Sequence, residues 1–257
     1  MSQTRVRRAF NAALPIVAAA GVFFLAWKAL VVIGNYPEWI LPAPEVVATR
    51  FVEAWRDGIM APHAVATITE ILLGFTLGAT LALALGYLLA RSRLAERLLS
   101  PYLVAAQAMP VLVLAPLFVL WLGTGLLPKV VICALIVFFP VAVATMVGIR
   151  SVDARLLELG RALRATRFQV VRHLELPAAL PQILGGMRVG VTLAVIGAIV
   201  GEWAGADKGL GVLINLARGS LFDTPLVFAT LTTIVGIALL LYLAVVLIER
   251  ALVGAWR

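Results

Sequence analysis

The sequence predicts an all-α fold, a polytopic transmembrane helical bundle of about six helices in a single domain over residues 1–257. The first observation behind this prediction is composition. Of the residues, 63% are hydrophobic and only 13% are charged, whereas a soluble domain is about half apolar and about a quarter charged. The second observation is length, because a helix needs about 20 apolar residues to cross a bilayer. Six stretches reach that length, at residues 12–33, 65–90, 98–122, 128–149, 180–202 and 225–248.

The first stretch, 12–33, follows Arg5, Arg7 and Arg8, a charge pattern that secretory signal peptides share. Its apolar run is longer than the roughly 7–15 residues typical of such peptides. Five further stretches follow it. We therefore interpret it as a helix that the mature protein retains.

Between the first two spans, the segment LPAPEVVATRFVEAW begins with a turn that two prolines favour. The apolar residues Val46, Val47, Phe51 and Trp55 then follow close to helical spacing. This pattern predicts a short amphipathic helix at about 44–56 that lies along the outer membrane surface.

Arginines and lysines predict the orientation of the bundle. Six spans place the N-terminus, the loops 91–97 and 150–179, and the C-terminus on one side of the membrane. That side carries most of the basic residues, namely Arg5, Arg7, Arg8, Arg91, Arg93, Arg97, Arg150, Arg155, Arg161, Arg164, Arg167, Arg172, Arg250 and Arg257. Because basic residues of membrane proteins favour the cytoplasm, both termini are expected to be cytoplasmic. The same rule explains the net charge of +8, so no binding to nucleic acid is expected.

The third stretch contains three prolines, Pro101, Pro110 and Pro116, with Gln107 one turn before the second. Proline removes a backbone donor, and a membrane tolerates the freed backbone groups only where protein or water satisfies them. A broken helix that carries a polar amide favours a lined cavity. The alternative is a kinked packing helix in which Gln107 bonds to a neighbour.

Small residues recur every three or four positions in two spans, which predicts close helix approach in a compact bundle. In the second span they are Gly74, Gly78, Ala82 and Gly86, and in the fifth they are Gly186, Gly190, Ala194, Gly197 and Gly201. The alternative is that membrane helices simply contain many glycines.

Two acidic residues, Glu70 and Glu202, lie within predicted spans. An ionisable group within a membrane is a functional candidate, but both are expected near the outer helix ends, where water can reach. Glu70 is interpreted as structural. For Glu202 two interpretations stay open, a gate or pathway residue and an anchor for the helix end.

The remaining reactive residues exclude several kinds of chemistry. Cys133 alone gives neither a disulfide framework nor a cysteine metal site, and His63 and His173 lack the spacing of metal ligands. We therefore expect no metal, no cofactor and no catalytic residue in this chain. The phosphate-binding pattern G-x-x-x-x-G-K-[ST] is absent from the sequence, so the chain is not expected to hydrolyse ATP.

The largest cytoplasmic loop, 150–179, predicts two short helices with a tight corner between them. Asp153 suits the N-cap of a first helix that runs to about Leu163. Thr166 and Gln169 fit a capping box that starts a second helix. Two short helices joined in this way form a compact projection from the membrane.

The second helix should end near Leu176, because Pro177 disfavours a helical conformation in the residue before it. We call residues 153–176 the knuckle. Phe168 and Val171 share one face of its second helix, and another face is apolar as well. Such a helix needs a surface to bury against, and both lipid headgroups and another protein stay open at this point.

The knuckle resembles the coupling loop of the permeases of bacterial ABC importers. Their pattern is Glu-Ala-Ala, three residues, Gly, nine residues and Ile-x-Leu-Pro. Glu158-Leu159-Gly160 stands at the first triplet, and Leu174-Glu175-Leu176-Pro177 stands at the end with the same spacing. Arg164 replaces the glycine of the corner, where a positive φ is expected. A non-glycine residue in that conformation costs on the order of 1 kcal/mol.

Three further segments are similar to one subfamily of these permeases. They are LPAPEVV near residue 41, AQAMPVLVLAPLFVLWLGTG in the third span and AVIGAIVGEWAGADKGLG at the end of the fifth. That subfamily takes up nitrate, taurine, alkanesulfonates, and pyrimidine or flavin precursors of vitamins. The similarity covers about residues 40–250 and is greatest to the vitamin-precursor branch.

The resemblance implies a multi-pass permease of the type I, binding-protein-dependent kind in the bacterial inner membrane. The knuckle would dock into a groove on a cytoplasmic ABC ATPase. Two ATPase copies, which hold the ATP and Mg, would drive two permeases, either a homodimer or a pair of paralogues. A periplasmic or lipid-anchored binding protein would deliver the solute.

The resemblance also assigns roles to residues of this sequence. The ATPase-coupling residues would be Glu158, Gly160, Arg161, Arg164, Ala165, Thr166, Phe168, Val171, Leu174, Leu176 and Pro177. The residues of the translocation pathway or its gate would be Gln107, Met109, Pro110, Thr192, Gly197 and Glu202.

A self-sufficient secondary transporter or channel is the main alternative, and a membrane-embedded enzyme is a third class. A secondary transporter usually needs ionisable groups at mid-membrane, and often two repeated halves. The sequence predicts neither feature. An enzyme needs a metal or nucleophile cluster, which two separated histidines and one cysteine do not offer.

The lack of a basic residue at mid-membrane favours a neutral or flat organic solute over nitrate or sulfonate.

Overall fold

The computed structural model of the protein describes residues 3–254, and within that range all side chains except those of 3–14, 16, 17, 104, 108 and 253. Every regular element in this range is helical, which confirms the all-α prediction. Arg257 and the side chains of Arg5, Arg7 and Arg8, on which the orientation argument relied, lie outside the described part.

The helices follow one another with short connections. Before the knuckle they are α1 (Gln3–Gly34), α2 (Pro44–Arg56), α3 (Met60–Arg91), α4 (Arg93–Ala108), α5 (Val111–Leu122) and α6 (Leu126–Arg150). From the knuckle onward they are α7 (Ala154–Ala162), α8 (Arg167–Val170), a π turn (Val171–Glu175), α9 (Leu176–Gly205), α10 (Leu210–Gly219) and α11 (Thr224–Gly254).

Several of these helices are long and apolar enough to cross a membrane. Among the described residues, four continuous stretches meet this condition: Met60–Arg91, Leu126–Arg150, Arg167–Gly205 and Thr224–Leu252. They contain the second, fourth, fifth and sixth predicted spans. The pair α4 and α5 gives a fifth candidate, and a shorter apolar part of α1, Ala18–Gly34, overlaps the first predicted span. The number six and the cytoplasmic termini stay predictions.

The third predicted span, 98–122, is not one helix. The helices α4 and α5 are inclined by 95° at the break between them. Met109 and Pro110 at the break are extended, with ψ of 125° and 107°. For Met109 the cause is Pro110, because a proline drives the preceding residue out of the helical region. The predicted broken helix is confirmed, and the alternative of a single kinked helix is wrong.

The predicted end of the knuckle's second helix near Leu176 is also wrong. The helix α8, the π turn and α9 form one continuous helical stretch, Arg167–Gly205, so the fifth span begins inside the knuckle. Pro177 lies in the first turn of α9, where a missing N–H and a fixed φ are tolerated. The π turn shifts the hydrogen-bond register, and Leu176 N donates to Val171 O, five residues back.

The chain divides into two compact units. They are Met1–Met60 with Ile214–Thr232, and Ala61–Leu213 with Thr233–Arg257. In the first unit, α2 coincides with the predicted amphipathic helix and buries Val47 and Ala54. Arg50 Nε of α2 donates to Asp223 Oδ2 at 2.8 Å, which ties this helix to the loop that precedes α11.

The second unit is built around α6. A Cβ atom placed on Gly78 of α3 would lie 2.5 Å from the carbonyl oxygen of Ala134 in α6. One placed on Gly190 of α9 would lie 3.0 Å from Val141 Cγ2, also in α6. Both glycine ridges therefore face the same helix, and the predicted close approach is confirmed.

Candidate functional site

Both helices of the knuckle begin with the side-chain caps that the sequence predicts. Asp153 Oδ1 accepts a hydrogen bond from Arg155 N at 2.9 Å. Thr166 Oγ1 accepts one from Gln169 N at 3.3 Å, and Gln169 Oε1 accepts one from Thr166 N at 2.8 Å. These reciprocal bonds form a complete capping box, which satisfies backbone donors that the first helical turn leaves free.

The corner between the two helices is a left-handed turn at Arg164, whose φ is +53°. Ala165 N donates to Gly160 O at 2.9 Å, and Arg164 N donates to Arg161 O at 3.0 Å. These are the two hydrogen bonds of a Schellman motif, which usually places glycine at the left-handed residue. The positive φ expected at this corner is confirmed, and an arginine occupies it.

The two helices are held together at Gly160, which is buried. A Cβ atom on Gly160 would lie 2.9 Å from Leu174 Cδ1 and 3.3 Å from Val170 Cγ2. Glycine at this position thus lets the second helix lie directly against the first. Because caps, corner and contact act together, the knuckle is a defined small structure and not a solvated loop.

The outer surface of the knuckle combines charged and apolar side chains. Six predicted coupling residues are exposed, namely Glu158, Arg161, Arg164, Thr166, Phe168 and Leu176, while Ala165, Val171, Leu174 and Pro177 are half-buried. Sequence reasoning missed Leu163, which is 72% exposed, similar to Phe168 at 69%. These exposed apolar side chains among charged ones are available for contact with another molecule.

A cavity of about 610 Å³ lies between the knuckle and the end of α3. Arg91, Arg161 and Arg167 line it together with Glu175. Glu175 is only 1% exposed, and Arg91 forms an ion pair with it. Sequence reasoning assigned no role to either member of this pair. The one available signal was that Glu175 places a carboxylate between two apolar residues, Leu174 and Leu176.

A second cavity, of about 650 Å³, lies beside the break between α4 and α5. Gln107 lines it as predicted, together with Gln182 and Phe139, which sequence reasoning missed. The other lining residues are Pro140, Val143, Ala144, Val147, Gly185, Gly186, Val189 and Leu193. None of the lining residues is ionisable, so the cavity offers two amide groups in an apolar surface and suits an uncharged ligand.

The other predicted pathway residues do not line this cavity. Met109 is 55% exposed, and Pro110 is exposed at the start of α5. The hydroxyl of Thr192 donates to Val189 O of its own helix at 2.8 Å. A Cβ atom on Gly197 would lie 3.0 Å from Cys133 Cα, so this glycine brings α9 against α6. A pathway role for these residues stays a prediction.

A cluster of buried polar groups lies at the other end of α9. Glu202 is 2% exposed and accepts hydrogen bonds at 2.5 Å from the hydroxyl of Thr67 and from Gly211 N. The Thr67 hydroxyl in turn accepts a bond from Leu210 N at 2.9 Å. The carboxylate and the hydroxyl together satisfy backbone donors in the first turn of α10. These contacts favour the anchor interpretation of Glu202.

The expectation that water reaches Glu70 and Glu202 is wrong. Glu70 is 1% exposed and receives a hydrogen bond of 2.7 Å from Lys129 Nζ. Lys129 is 7% exposed in the first turn of α6. Close packing explains the burial, because a Cβ atom on Gly201 would lie 3.2 Å from Lys129 Cα.

Comparison with known proteins identifies the family. The family model described as "Binding-protein-dependent transport system inner membrane component" matches residues 74–253. A riboflavin transport system permease protein of Chloroflexus aurantiacus is 46% identical over 227 residues, which are 88% of this chain and 84% of that protein. A formylaminopyrimidine transport permease protein of Halalkalibacterium halodurans is 36% identical over 219 residues, 85% of this chain and 86% of that one.

The fold is similar to that of a solved transporter. The inward-facing MetNI methionine ABC transporter gives a TM-score of 0.68 at 21% identity, covering 78% of this chain and 97% of the matched chain. At this identity the likeness concerns the fold alone. The family match and the permease relatives show that the chain belongs to the binding-protein-dependent inner-membrane components, the permease subunits of ABC transport systems.

Proposed function

We propose that this chain is the permease of an importer that a separate cytoplasmic ATPase drives and that a binding protein supplies with solute. The observation that carries the proposal is the knuckle. Its two capped helices, left-handed corner and exposed Leu163 and Phe168 give a small, preformed apolar surface. Such a surface fits a groove on a partner, since little chain entropy is lost when a preformed element binds.

The route from the knuckle to the membrane supports this function. The helical stretch Arg167–Gly205 is continuous, so a displacement of the knuckle acts directly on α9. The helices α9 and α3 each pack on α6 along their own glycine ridges. A change in the position of the knuckle therefore alters the wall of the 650 Å³ cavity, to which α9 contributes Gln182, Gly185 and Gly186.

The solute is proposed to be a small, uncharged, planar organic molecule of the flavin or pyrimidine class. The cavity volume lies within the range of about 300–1,000 Å³ that small-molecule sites occupy. Its polar groups are the amides of Gln107 and Gln182, which can pair with the carbonyl and N–H edges of such rings. The relatives named for riboflavin and formylaminopyrimidine transport agree with this class.

The assembly is proposed to contain two ATPases, two permeases and one binding protein. Each chain presents a single knuckle, and the resemblance calls for two ATPases, so a second permease is needed. A homodimer is the simplest arrangement. ATP and Mg are expected on the ATPases, with no cofactor held by this chain.

Co-purification tests the ATPase partner. The tagged chain is purified in mild detergent from its own host, and mass spectrometry identifies what accompanies it. An ATPase with a phosphate-binding loop is expected in equal amount. Phe168→Asp should remove it, because a charge would enter an apolar contact. Val52→Asp is the matched control, since Val52 is 62% exposed on α2 and is not a residue of the knuckle.

Transport assays complete the test. Deletion of Phe168–Val171, or replacement of Glu158, is expected to abolish ATP-dependent uptake while the chain still inserts into the membrane. A chain that purifies alone and transports in liposomes without ATP would support the alternative, a self-sufficient secondary transporter or channel.

A further inference from the structure

The buried carboxylate of Glu175 has no part in the docking surface described above. It lies on the last residue of the π turn and is 1% exposed. Removing a carboxylate from water is costly unless a charged partner compensates it. Among the residues that the structure describes, Arg91 is the cation that forms an ion pair with it.

Arg91 is well placed to hold this carboxylate. It is the last residue of α3, and its side chain is 42% exposed, so it reaches from water to a buried group. Its Nε donates to the hydroxyl of Tyr87 at 3.4 Å, and its guanidinium lies 5.8 Å from the centre of the Tyr87 ring. Tyr87 itself packs against the cluster formed by Ile149, Ala179 and Ile183. The ion pair is thus joined to the packed ends of α3, α6 and α9.

The π turn Val171–Glu175 is the part of this helical stretch that bends most easily. A π turn interrupts the regular hydrogen-bond ladder of an α-helix, and sharp kinks in helices often occur at such turns. Here it separates the four residues of α8 from the long helix α9. A force applied to the knuckle could therefore bend the helix at Val171–Glu175 and leave α9 where it is.

We propose that the Arg91–Glu175 ion pair is the positioning contact that prevents this bending. It fastens the π turn to the end of α3, so that the knuckle, α9 and α3 move together when the ATPase displaces the knuckle. Glu175 is a positioning residue and contacts neither solute nor nucleotide. The inference rests on the proposed ATPase-driven function.

The test measures whether ATP still moves the wall of the cavity. Val143 lines the 650 Å³ cavity and is 45% exposed, so Val143→Cys provides a labelling site for a membrane-impermeant maleimide. The native cysteine, Cys133, is completely buried and gives a low background. In the reconstituted complex of permease and ATPase, ATP with vanadate is expected to change the labelling rate.

The variant Glu175→Gln keeps the shape of the side chain and removes its charge. It is expected to retain bound ATPase and ATP hydrolysis, while the ATP-dependent change in labelling falls roughly two- to thirtyfold, the usual range for a coupling contact. Glu175→Asp keeps the charge and should restore much of the response. The matched control is Glu96→Gln, which breaks a different ion pair, between the first turn of α4 and the end of α6, Arg150 Nη1 to Glu96 Oε1 at 2.7 Å.

A purely structural pair would behave differently. Hydrolysis and the labelling response would then fall in proportion, or Glu96→Gln would have the same effect, and either result overturns the inference. If Glu175→Gln does not fold, Arg91→Gln tests the same pair from its exposed partner with the same criteria. Failure of the proposed function is seen earlier and separately, because the unaltered chain would then bind no ATPase, and this inference would fall with it.

Discussion

The two ends of α9 each bury a glutamate, and they hold it in different ways. At the outer end by the predicted orientation, Glu202 accepts hydrogen bonds from two neutral donors, Thr67 Oγ1 and Gly211 N, at 2.5 Å. At the knuckle end, Glu175 pairs with the charged, half-exposed Arg91. The Glu202 carboxylate is held by several short contacts with packed neighbours, whereas the Glu175 carboxylate is held by one long side chain.

The difference indicates which end is rigid. Around Glu202 the first turn of α10 approaches so closely that a Cβ atom on Gly211 would lie 2.8 Å from Glu202 Oε2, so the carboxylate is closely packed. Around Glu175 there are a π turn and a cavity of about 610 Å³. The helix is therefore anchored at its Glu202 end, whereas at its Glu175 end a π turn and one ion pair connect it to the knuckle.

The largest expected effect concerns the anchored end. Lys129→Met would leave Glu70 buried without its charged partner, and breaking a buried ion pair from one side costs about 3–5 kcal/mol. We expect the free energy of unfolding to fall by that amount. The measurement is a titration of the purified chain in mixed micelles with a denaturing detergent, followed by tryptophan fluorescence.

The double variant Glu70→Leu/Lys129→Met is the control for this change. It removes both charges, so no carboxylate is left unpaired, and most of the lost stability should return. If the single variant is as stable as the unaltered chain, the Glu70–Lys129 pair does not hold this end of the bundle.

A smaller effect is expected from Thr67→Val. This change removes the hydroxyl that donates to Glu202 and accepts from Leu210 N, and leaving such buried groups unsatisfied costs about 1–3 kcal/mol. Thr69→Val is a matched control, because Thr69 is exposed and its hydroxyl bonds to Val65 O of its own helix. The same titration should show a loss for Thr67→Val alone, and equal losses for both variants would contradict the anchor.

Sequence reasoning succeeded where contacts are local. The capping box at Thr166 and Gln169 and the corner at Arg164 involve residues that are neighbours in the chain, so their spacing carries the structure. The glycine ridges were predictable as well, because a helical repeat fixes which residues share a face. In one place a local rule failed, since the π turn lets the helix continue through Pro177.

Contacts between residues far apart in the sequence could not be predicted. Thr67 and Glu202 are 135 positions apart, and Lys129 and Glu70 are 59 apart. Nothing in a single sequence states which polar residue of one span meets which residue of another. For this reason Glu202 could not be assigned to anchor or gate, and the Arg91–Glu175 pair was not found.

The smallest expected effect is at the knuckle, where Arg164→Gly should be slightly stabilising. Arginine at φ +53° bears a conformational strain on the order of 1 kcal/mol, which glycine does not have. The greater freedom of glycine in the unfolded chain offsets part of the gain. We expect a net gain of less than about 1 kcal/mol, measured as slower hydrogen exchange of the knuckle amides.

The affinity of Arg164 variants for the ATPase shows whether the arginine is only tolerated at the corner or contacts the ATPase. Arg164→Ala removes the same side chain and keeps a Cβ atom, so it retains the strain. If glycine slows exchange while both variants bind the ATPase as tightly as arginine does, the side chain is only tolerated at the corner. If both variants bind more weakly although glycine slows exchange, the arginine itself contacts the ATPase. That contact would explain why a strained residue occupies the corner of a knuckle whose other turns follow the favoured chemistry.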